Sequence, residues 1–405
     1  MDCRNQLMPG GLSQLSRVWL IAAMAIMIGG ASPRPAVAQE SVSDILSFLL
    51  TNRSIPTGDF VQDERAAAAT RDTVSGFLLL ELASSPVSSS PGGFSYRLNP
   101  TLGTIERSSD SFGPFLMKRS LTSGTGRATI GLSYRESSFG KIDGHSLRDG
   151  TLIATATKFR DQPQPFDVET LKLELQLQTV TFLADYGLTD RLDVGAAVPF
   201  VTLNLSGQRI DTYRGQAFVQ ANASVTASGL GDVAFHAKYN VLGRAGSGLA
   251  LGSEVWFPTG DRQNLLGSGN VAFKPLFIGS VEQGRLAAHG NLGYTFSQAS
   301  NEINYGAALT VAGTNRLTFV GELSGRRVAK LGTLIQVSEP NRQIAGADTI
   351  RLQTIGQGTT MLDVVGGFKW NLASTWLLAF EALFPVTKAG VTAGWTPSLA
   401  LDYSF

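Results

Sequence analysis

The chain has little cysteine, histidine or charge: its 405 residues include one Cys, three His and 16% Asp, Glu, Lys and Arg. A single Cys excludes a disulfide framework and a cysteine metal site. A net charge of +1 argues against a general nucleic-acid binder, which usually carries a basic excess. Long apolar runs are missing after the N-terminus, so a helical membrane protein is excluded. The hydrophobic fraction of 43% excludes a disordered chain.

The N-terminus has the pattern of a secretory signal peptide. Arg17 precedes an apolar run, and small residues at 36–38 form an A-x-A cleavage motif. The alternative is a membrane anchor, but the uncharged stretch 18–33 has 16 residues and a spanning helix needs about 20. We therefore predict a signal peptide over residues 1–38, which would remove Cys3 from the mature chain.

Residues 39–110 mix helix and turn signals. Ser41 is a candidate N-cap for a helix over 42–50, and Asp59 for a second helix to about Leu82. A linker rich in Ser, Pro and Gly and a small hairpin follow. The sequence predicts a helical and hairpin segment that either plugs a lumen or caps its periplasmic end, and both alternatives stay open.

The rest of the chain, residues 111–405, alternates with a period of two. In 170–186, Leu171, Leu173, Leu175 and Leu177 alternate with polar residues, which places them on one face of a strand. Most such segments exceed the ~9–11 residues that a tilted strand needs to cross a bilayer. Twelve segments have this pattern: 125–138, 170–186, 190–205, 230–242, 247–257, 269–281, 285–297, 302–312, 315–328, 359–370, 374–386 and 392–405.

The connections between these segments alternate in length. The long ones, 139–169, 206–229, 258–268 and 329–358, are all odd-numbered along the chain, and every even-numbered one has four residues or fewer. Outer-membrane barrels have short periplasmic turns and long outer loops. The fold class predicted is therefore all-β, a transmembrane antiparallel β-barrel of about 12 strands (range 10–14), with both termini in the periplasm.

One face of each strand is apolar and often aromatic, as Trp376, Leu378 and Phe380 are opposite Glu381, and we predict that this face meets lipid. The alternative is a soluble barrel with an apolar cavity. The predicted lumen-lining residues are Arg127, Arg135, Lys172, Glu174, Asp193, Asp232, His236, Lys238, Glu254, Lys274, Glu322, Arg326, Asp363, Lys369, Glu381 and Asp402. They would form either a polar conduit or mutual ion pairs that hold the wall, and their balanced charge predicts no strong ion selectivity.

The sequence predicts no catalytic, cofactor or metal site. His145, His236 and His289 share neither a segment nor a metal-ligand spacing. An outer-membrane hydrolase would need a His beside a Ser with an orienting group, and no spacing in the sequence indicates one. We therefore do not expect an enzyme.

Several motifs together resemble a known family of outer-membrane proteins. They are Ser111–Phe115, Tyr186–Val194 with Val198–Phe200, Ser228–Asp232 with Ala237–Tyr239, Phe257–Asp261, Asn291–Tyr294 and the ending Leu401–Phe405. This set resembles the proteins grouped with the meta-pathway of phenol degradation, often labelled transporters. The resemblance covers most of 111–405, and it implies transport across the outer membrane without naming a solute or a binding residue.

The function predicted is a passive outer-membrane channel for small solutes, with hydrophobic and aromatic compounds as the candidates. The alternative is a structural or surface-interaction barrel that acts through its outer loops. The expected partners are outer-membrane lipid, an unidentified small solute and, through a terminal strand ending in Phe405, the barrel assembly machinery. No nucleic acid is expected.

Overall fold

The computed structural model describes residues 40–50, 60–83, 93, 96–99, 104–244, 247–356, 358–373 and 375–405. Residues 41–405 form one compact unit. The predicted signal peptide over 1–38 lies outside the described residues, as does most of the predicted linker.

In the part of the chain that the structure describes, two helices precede the barrel: α1 (Val42–Leu50) and α2 (Phe60–Ala83). Ser41 caps α1 as the sequence predicts, because its hydroxyl accepts the N–H of Asp44 at 3.1 Å while its own N–H donates to the Asp44 carboxylate at 3.2 Å. No helix among the described residues is both long and apolar enough to cross a membrane.

The strands are nearly all part of one closed antiparallel barrel. Only the hairpin of β1 (Tyr96–Asn99) and β2 (Thr104–Arg107) is separate. The barrel strands are β3 (Ala128–Ile142), β4 (His145–Ser146), β5 (Leu152–Phe159), β6 (Asp167–Thr189), β7 (Leu192–Tyr213), β8 (Gln216–Leu230), β9 (Val233–Arg244), β10 (Ser247–Phe257), β11 (Ala272–Gln283), β12 (Leu286–Ser297), β13 (Glu302–Thr314), β14 (Leu317–Val328), β15 (Thr333–Pro340), β16 (Ala347–Ile355), β17 (Thr359–Ala373), β18 (Trp376–Pro385), β19 (Val391–Ala393) and β20 (Thr396–Ser404).

Twelve strands make up the described wall. β8 and β9 pair one after the other with β7, so they count as one wall strand, and β4, β5, β15, β16 and β19 only extend the wall beyond one rim. Every segment predicted from the alternating pattern coincides with a wall strand. The prediction of a barrel of about 12 strands is confirmed.

The two rims of the barrel differ, and we call them the turn end and the loop end. Turns at 190–191, 284–285 and 315–316 lie at the turn end, where β3 also begins and β20 ends. There Ala128 and Phe405 exchange backbone hydrogen bonds of 3.0 and 2.9 Å, which close the barrel. The predicted long connections all lie at the loop end, and most of their residues are strand: β7 and β8 extend as one tall hairpin, and β15 and β16 form another.

An apolar belt surrounds the wall nearest the turn end. Phe182 is 51% exposed on β6, and Trp370, Trp376 and Phe405 are exposed at the turn-end rim. Such a belt with interfacial aromatic residues is what a bilayer requires of a barrel. Exposed aliphatic and aromatic side chains occur on every one of the twelve wall strands.

Strand β6 crosses the belt and continues beyond it, because it has 23 residues and only ~9–11 are needed to cross. Its odd-numbered side chains face inward along the whole strand. Above the belt the inward residues are Leu171, Leu173, Leu175 and Leu177, which are at most 4% exposed. Lys172 and Glu174 therefore lie on the outer face in water, and their prediction as lumen-lining residues was wrong.

Candidate functional site: the filled lumen

Helix α1 occupies the loop-end half of the lumen. Leu46 and Leu49 are fully buried in one cluster with Leu173, Leu175 and the inward leucines of β7. The connection between β10 and β11 folds inward over the helix start, where the Val42 N–H donates to the Asn264 side chain at 3.2 Å. The apolar inner face of β6 is thus explained by the apolar helix that it contacts.

Helix α2 packs beside α1 against another part of the same half. Phe77 contacts the cluster formed by Val328 and Met361, at the loop ends of β14 and β17. The hydroxyls of Thr73 and Thr354 are 3.0 Å apart, which ties α2 to β16. Both helices therefore reduce the free volume of the loop-end half.

An irregular stretch, Ser108–Ser123, occupies the half of the lumen inside the belt, and we call it the lumen segment. It has no strand or helix partner, so its backbone groups are hydrogen-bonded by side chains of the wall. Glu322 is the strongest case: its carboxylate accepts the N–H groups of Phe115, Leu116 and Met117, the last two at 2.9 and 3.0 Å.

Other wall residues bind the lumen segment in the same way. Asn291 accepts the N–H of Lys118 at 2.6 Å and donates to its carbonyl at 2.8 Å. The Lys369 ammonium donates to the carbonyl of Pro114 at 2.7 Å, and Asp193 accepts the N–H of Ser123 at 3.0 Å. Many charged groups of the inner wall therefore serve the backbone of a single internal segment.

Side chains of the lumen segment also form buried ion pairs with the wall. Glu254, 2% exposed, lies 2.8 Å from the Lys118 ammonium and 2.5 Å from the Lys274 ammonium. A buried carboxylate needs such partners because its desolvation is otherwise very costly. A wall-to-wall ion pair joins Arg135 to Glu381 at 3.1 Å, so the inner charges bind one another as well as the lumen segment.

Four more of the predicted lumen-lining residues are His236, Lys238, Asp402 and Arg127. His236 is buried and bonds Asp185 at 2.7 Å. Lys238 pairs with Asp193 at 3.3 Å. Asp402 is buried near the turn end, and Arg127 is half-buried just before β3.

Three more predicted residues lie nearer the loop end. Asp232 accepts the N–H of Ser268 at 2.7 Å and holds the connection between β10 and β11 in place. Arg326 and Asp363 line an internal cavity described below.

Sequence reasoning missed the lumen segment and its partners. It assigned residues from 111 onward to the barrel, whereas the wall begins at Ala128. Lys118, Asp185 and Asn291 were not among the predicted residues. A usable signal was present, because residues 108–123 lack the period-two pattern yet directly precede the first wall strand.

The described residues line two adjoining cavities between the helices, the wall and the lumen segment. The larger has a volume of about 600 Å³ and is lined by α1, α2 and the loop-end parts of β10–β13. The smaller, about 110 Å³, lies below it and borders Met117 and Lys118. Lys274 and Asn304 line both, so the cavities adjoin. A third space of about 20 Å³ lies beyond the lumen segment, toward the turn end.

A partly buried carboxylate joins three segments at the loop end. Asp143 accepts the N–H of Leu334 and the N–H of Gly390, each at 2.7 Å. Burial raises the pKa of Asp143, although the two N–H groups act in the opposite direction. Asp143 has a φ of +46°, which a short Asp side chain tolerates.

The histidines form separate pairs. The Nδ1 of His289 is 2.9 Å from the Ser280 hydroxyl, which in turn accepts the N–H of Ser120. Among the described residues, the Nε2 of His289 has no partner to orient it. No three metal-ligand side chains of the described residues lie close enough to hold an ion.

The closed wall, its apolar and aromatic belt and its polar inner face inside that belt define a transmembrane antiparallel β-barrel of the bacterial outer membrane. Residues 155–327 match the family described as "Putative MetA-pathway of phenol degradation". The resemblance seen in the sequence is thus confirmed over that part of the chain. No curated protein matches.

Solved structures that match the chain include an outer membrane channel from Pseudomonas putida F1. It is 14% identical with a TM-score of 0.46, and the match covers 71% of this chain and 98% of that one. The β domain of the Bordetella autotransporter BrkA is 10% identical with a TM-score of 0.33, over 69% and 100%. The CymD monoaromatic hydrocarbon channel is 11% identical with a TM-score of 0.28, over 70% and 89%.

Proposed function

We propose that the protein is a passive outer-membrane channel for small hydrophobic or aromatic solutes. The pair of adjoining cavities, about 600 and 110 Å³, is the observation that carries the proposal. It extends from the loop end, which would face the cell exterior, to the lumen segment. The larger volume falls within the ~300–1,000 Å³ of small-molecule sites.

In this proposal the lumen segment is the barrier that a solute must pass. The space that described residues line on its far side has a volume of about 20 Å³, which is too small for an aromatic solute, so in this proposal the segment moves when a solute passes. The apolar residues Leu79, Leu265 and Leu331 line the larger cavity and suit a hydrophobic body. The description of the matched family, phenol degradation, supports an aromatic solute.

Flux measurements with the purified chain test the proposal. Proteoliposomes would be exposed to uncharged aromatic and aliphatic solutes, and planar bilayers would report current. We expect slow flux through the full chain and a larger current after deletion of residues 40–123, because α1, α2 and the lumen segment then leave the lumen. Absence of flux and current in both forms would overturn the channel.

The second candidate is a surface-interaction barrel. The tall β7–β8 hairpin and the β15–β16 hairpin extend beyond the belt, where another molecule could bind. Shortening the β15–β16 hairpin should spare flux if the channel proposal is right. A variant that keeps flux but loses a surface phenotype would favour this second function.

We further propose that residues 1–38 direct export and that the terminal strand β20 is recognised by the barrel assembly machinery. Support comes from Phe405, which directly follows β20. Its ring is exposed, and its backbone exchanges hydrogen bonds with Ala128 where the barrel closes. Deletion of Phe405 should lower the amount of assembled barrel in the outer membrane. Among the described residues the Nε2 of His289 has no partner, so we propose no catalytic role for the Ser280–His289 pair.

A further inference from the structure

The larger cavity contains a buried carboxylate with no partner. Glu302, at the start of β13, is 7% exposed and lines this cavity. No hydrogen bond or ion pair joins its side chain to another described residue. Buried charges in proteins are ordinarily paired, because an uncompensated one carries a large desolvation cost. Glu302 therefore presents an unused acceptor to whatever occupies the cavity.

Two further oxygen atoms lie beside this carboxylate. Thr295 is directly opposite Glu302 in the β12–β13 register, and Asn304 is two residues further along the same face. The Asn304 amide donates to the Thr295 hydroxyl at 2.8 Å, so the amide oxygen of Asn304 remains available as an acceptor. The three side chains form an acceptor patch on one wall of the cavity.

The nearby cations do not neutralise this patch by direct contact. Lys274 is held 2.5 Å from Glu254 and over the ring of Trp256, at 4.9 Å from its centroid. Arg326 donates to the sulfur of Met361 at 3.1 Å. Both attract Glu302 only from beyond ion-pair distance.

The other charges that line the cavity largely balance. Arg71 and Asp72 pair with each other at 2.8 Å, and Asp44 bonds Ser41. Arg262, on the β10–β11 connection, is exposed and makes no side-chain bond to a described residue. Apart from Arg262, Glu302 is the one charged group of the described lining without a bonded partner.

We propose that this cavity binds a small organic ammonium ion, with the ammonium on Glu302, Asn304 and Thr295 and the apolar body against Leu79, Leu265 and Leu331. An ammonium group has three donors and a positive charge, so it matches three oxygens and compensates the carboxylate. A hydroxyl would supply one donor and leave the charge uncompensated. The inference rests on the proposed channel in one respect, that the bound ammonium ion is also a transported solute. Binding of the ammonium ion in the cavity does not depend on flux.

Calorimetric titration of the folded chain in detergent tests this site with three probes of one shape: 2-phenylethylammonium, 2-phenylethanol and phenylacetate. We expect the ammonium probe to bind about tenfold to a hundredfold more tightly than the alcohol, since hydrogen bonds to a charged group are the stronger ones. Phenylacetate should bind most weakly. Equal affinity for the ammonium and the alcohol would overturn the proposal.

Three variants locate the binding. Glu302→Gln should remove the preference for the ammonium probe, and Asn304→Leu should weaken it less. The matched control is Glu174→Gln, which replaces an exposed acid on the outer face of β6. This control should leave the preference for the ammonium probe unchanged. Retained preference in Glu302→Gln would contradict the site. If Glu302→Gln fails to fold, Asn304→Leu provides the test. An unchanged preference for the ammonium probe in Asn304→Leu would also contradict the proposed site.

Flux separates this proposal from the channel. Ammonium binding without flux of any probe would keep the site and overturn the channel. Flux of the alcohol without preferential ammonium binding would keep the channel and overturn the site.

Discussion

The loop-end half and the belt half of the barrel are built in opposite ways, and strand β6 belongs to both. In the loop-end half its inner face is leucine and its outer face is polar, with Gln176 exposed to water. In the belt half, the inner face includes Asp185 and the outer face includes Phe182. The strand does not change register between them. What changes is the surroundings on each side.

Each inner surface matches the element that fills it. A helix hydrogen-bonds its own backbone, so α1 offers apolar side chains and the wall beside it is apolar. The lumen segment has an irregular backbone without a strand partner, so the wall beside it must supply acceptors and donors. The filling of the lumen, together with the outer solvent, thus decides the pattern of the wall.

The largest expected effect comes from placing a polar group on the inner face of the loop-end half. Leu173→Asn removes a fully buried side chain beside Leu49 and leaves an amide without partners. The free energy of unfolding should fall by about 3–5 kcal/mol. Protease cleavage within α1 and denaturant unfolding in detergent would measure it. The adjacent outer-face variant Glu174→Asn should change it by less than about 0.5 kcal/mol, and equal losses would contradict the comparison.

The next effect concerns the outer face of the same strand. Phe182→Arg places a charge in the lipid belt and should cost about 2–4 kcal/mol. Gln176→Arg lies on the same face six residues earlier, above the belt, and should cost close to nothing. Reversible unfolding in lipid vesicles would compare them. A similar cost at both positions would mean that the belt extends further up β6.

How much the sequence could predict follows from these same residues. Period-two alternation located every wall strand, because one face of each strand must differ from the other. It could not decide which face of β6 points inward at Lys172 and Glu174, since a helix inside and water outside reverse the usual rule. The 23-residue length of β6 was a usable sign that part of the strand lies outside the membrane.

The sequence predicted several residues of the candidate site, but it did not predict which groups those residues bind. Glu322, Lys369 and Asp193 were expected to line a lumen, yet their partners are backbone groups of residues 114–123. The missing period-two pattern of residues 108–123 indicates that they are not a wall strand, but it does not specify that they pass through the barrel. Glu302 was overlooked because, at the start of a strand, nothing distinguished it from an ordinary rim charge.

A smaller effect is expected where the belt half binds the lumen segment. Glu322→Gln replaces a carboxylate that accepts three N–H groups, and it should weaken the segment's attachment by about 1.5–3 kcal/mol. Because Cys3 is the only native Cys, Ser120→Cys combined with Cys3→Ser would give a chain with a single Cys for labelling. Its maleimide reaction should become faster in the Glu322→Gln background. Glu174→Gln is the control, and an unchanged rate in the Glu322→Gln protein would show that Glu322 does not hold the segment.

The smallest effect is a pH dependence confined to the loop end. Burial raises the pKa of Asp143 above its ordinary value of 3.8, so the native state retains this proton to higher pH than the unfolded state does. Stability of the loop end should therefore fall slightly as the pH rises from about 4 through the raised pKa. Asp149 is the opposite case, because hydrogen bonds from Thr151 lower its pKa. Amide exchange at Leu334 and Gly390 should show the dependence in the native chain, lose it in Asp143→Asn and keep it in Asp149→Asn. Exchange that slows with rising pH, after correction for the intrinsic rate, would mean that the two N–H donors outweigh burial at Asp143.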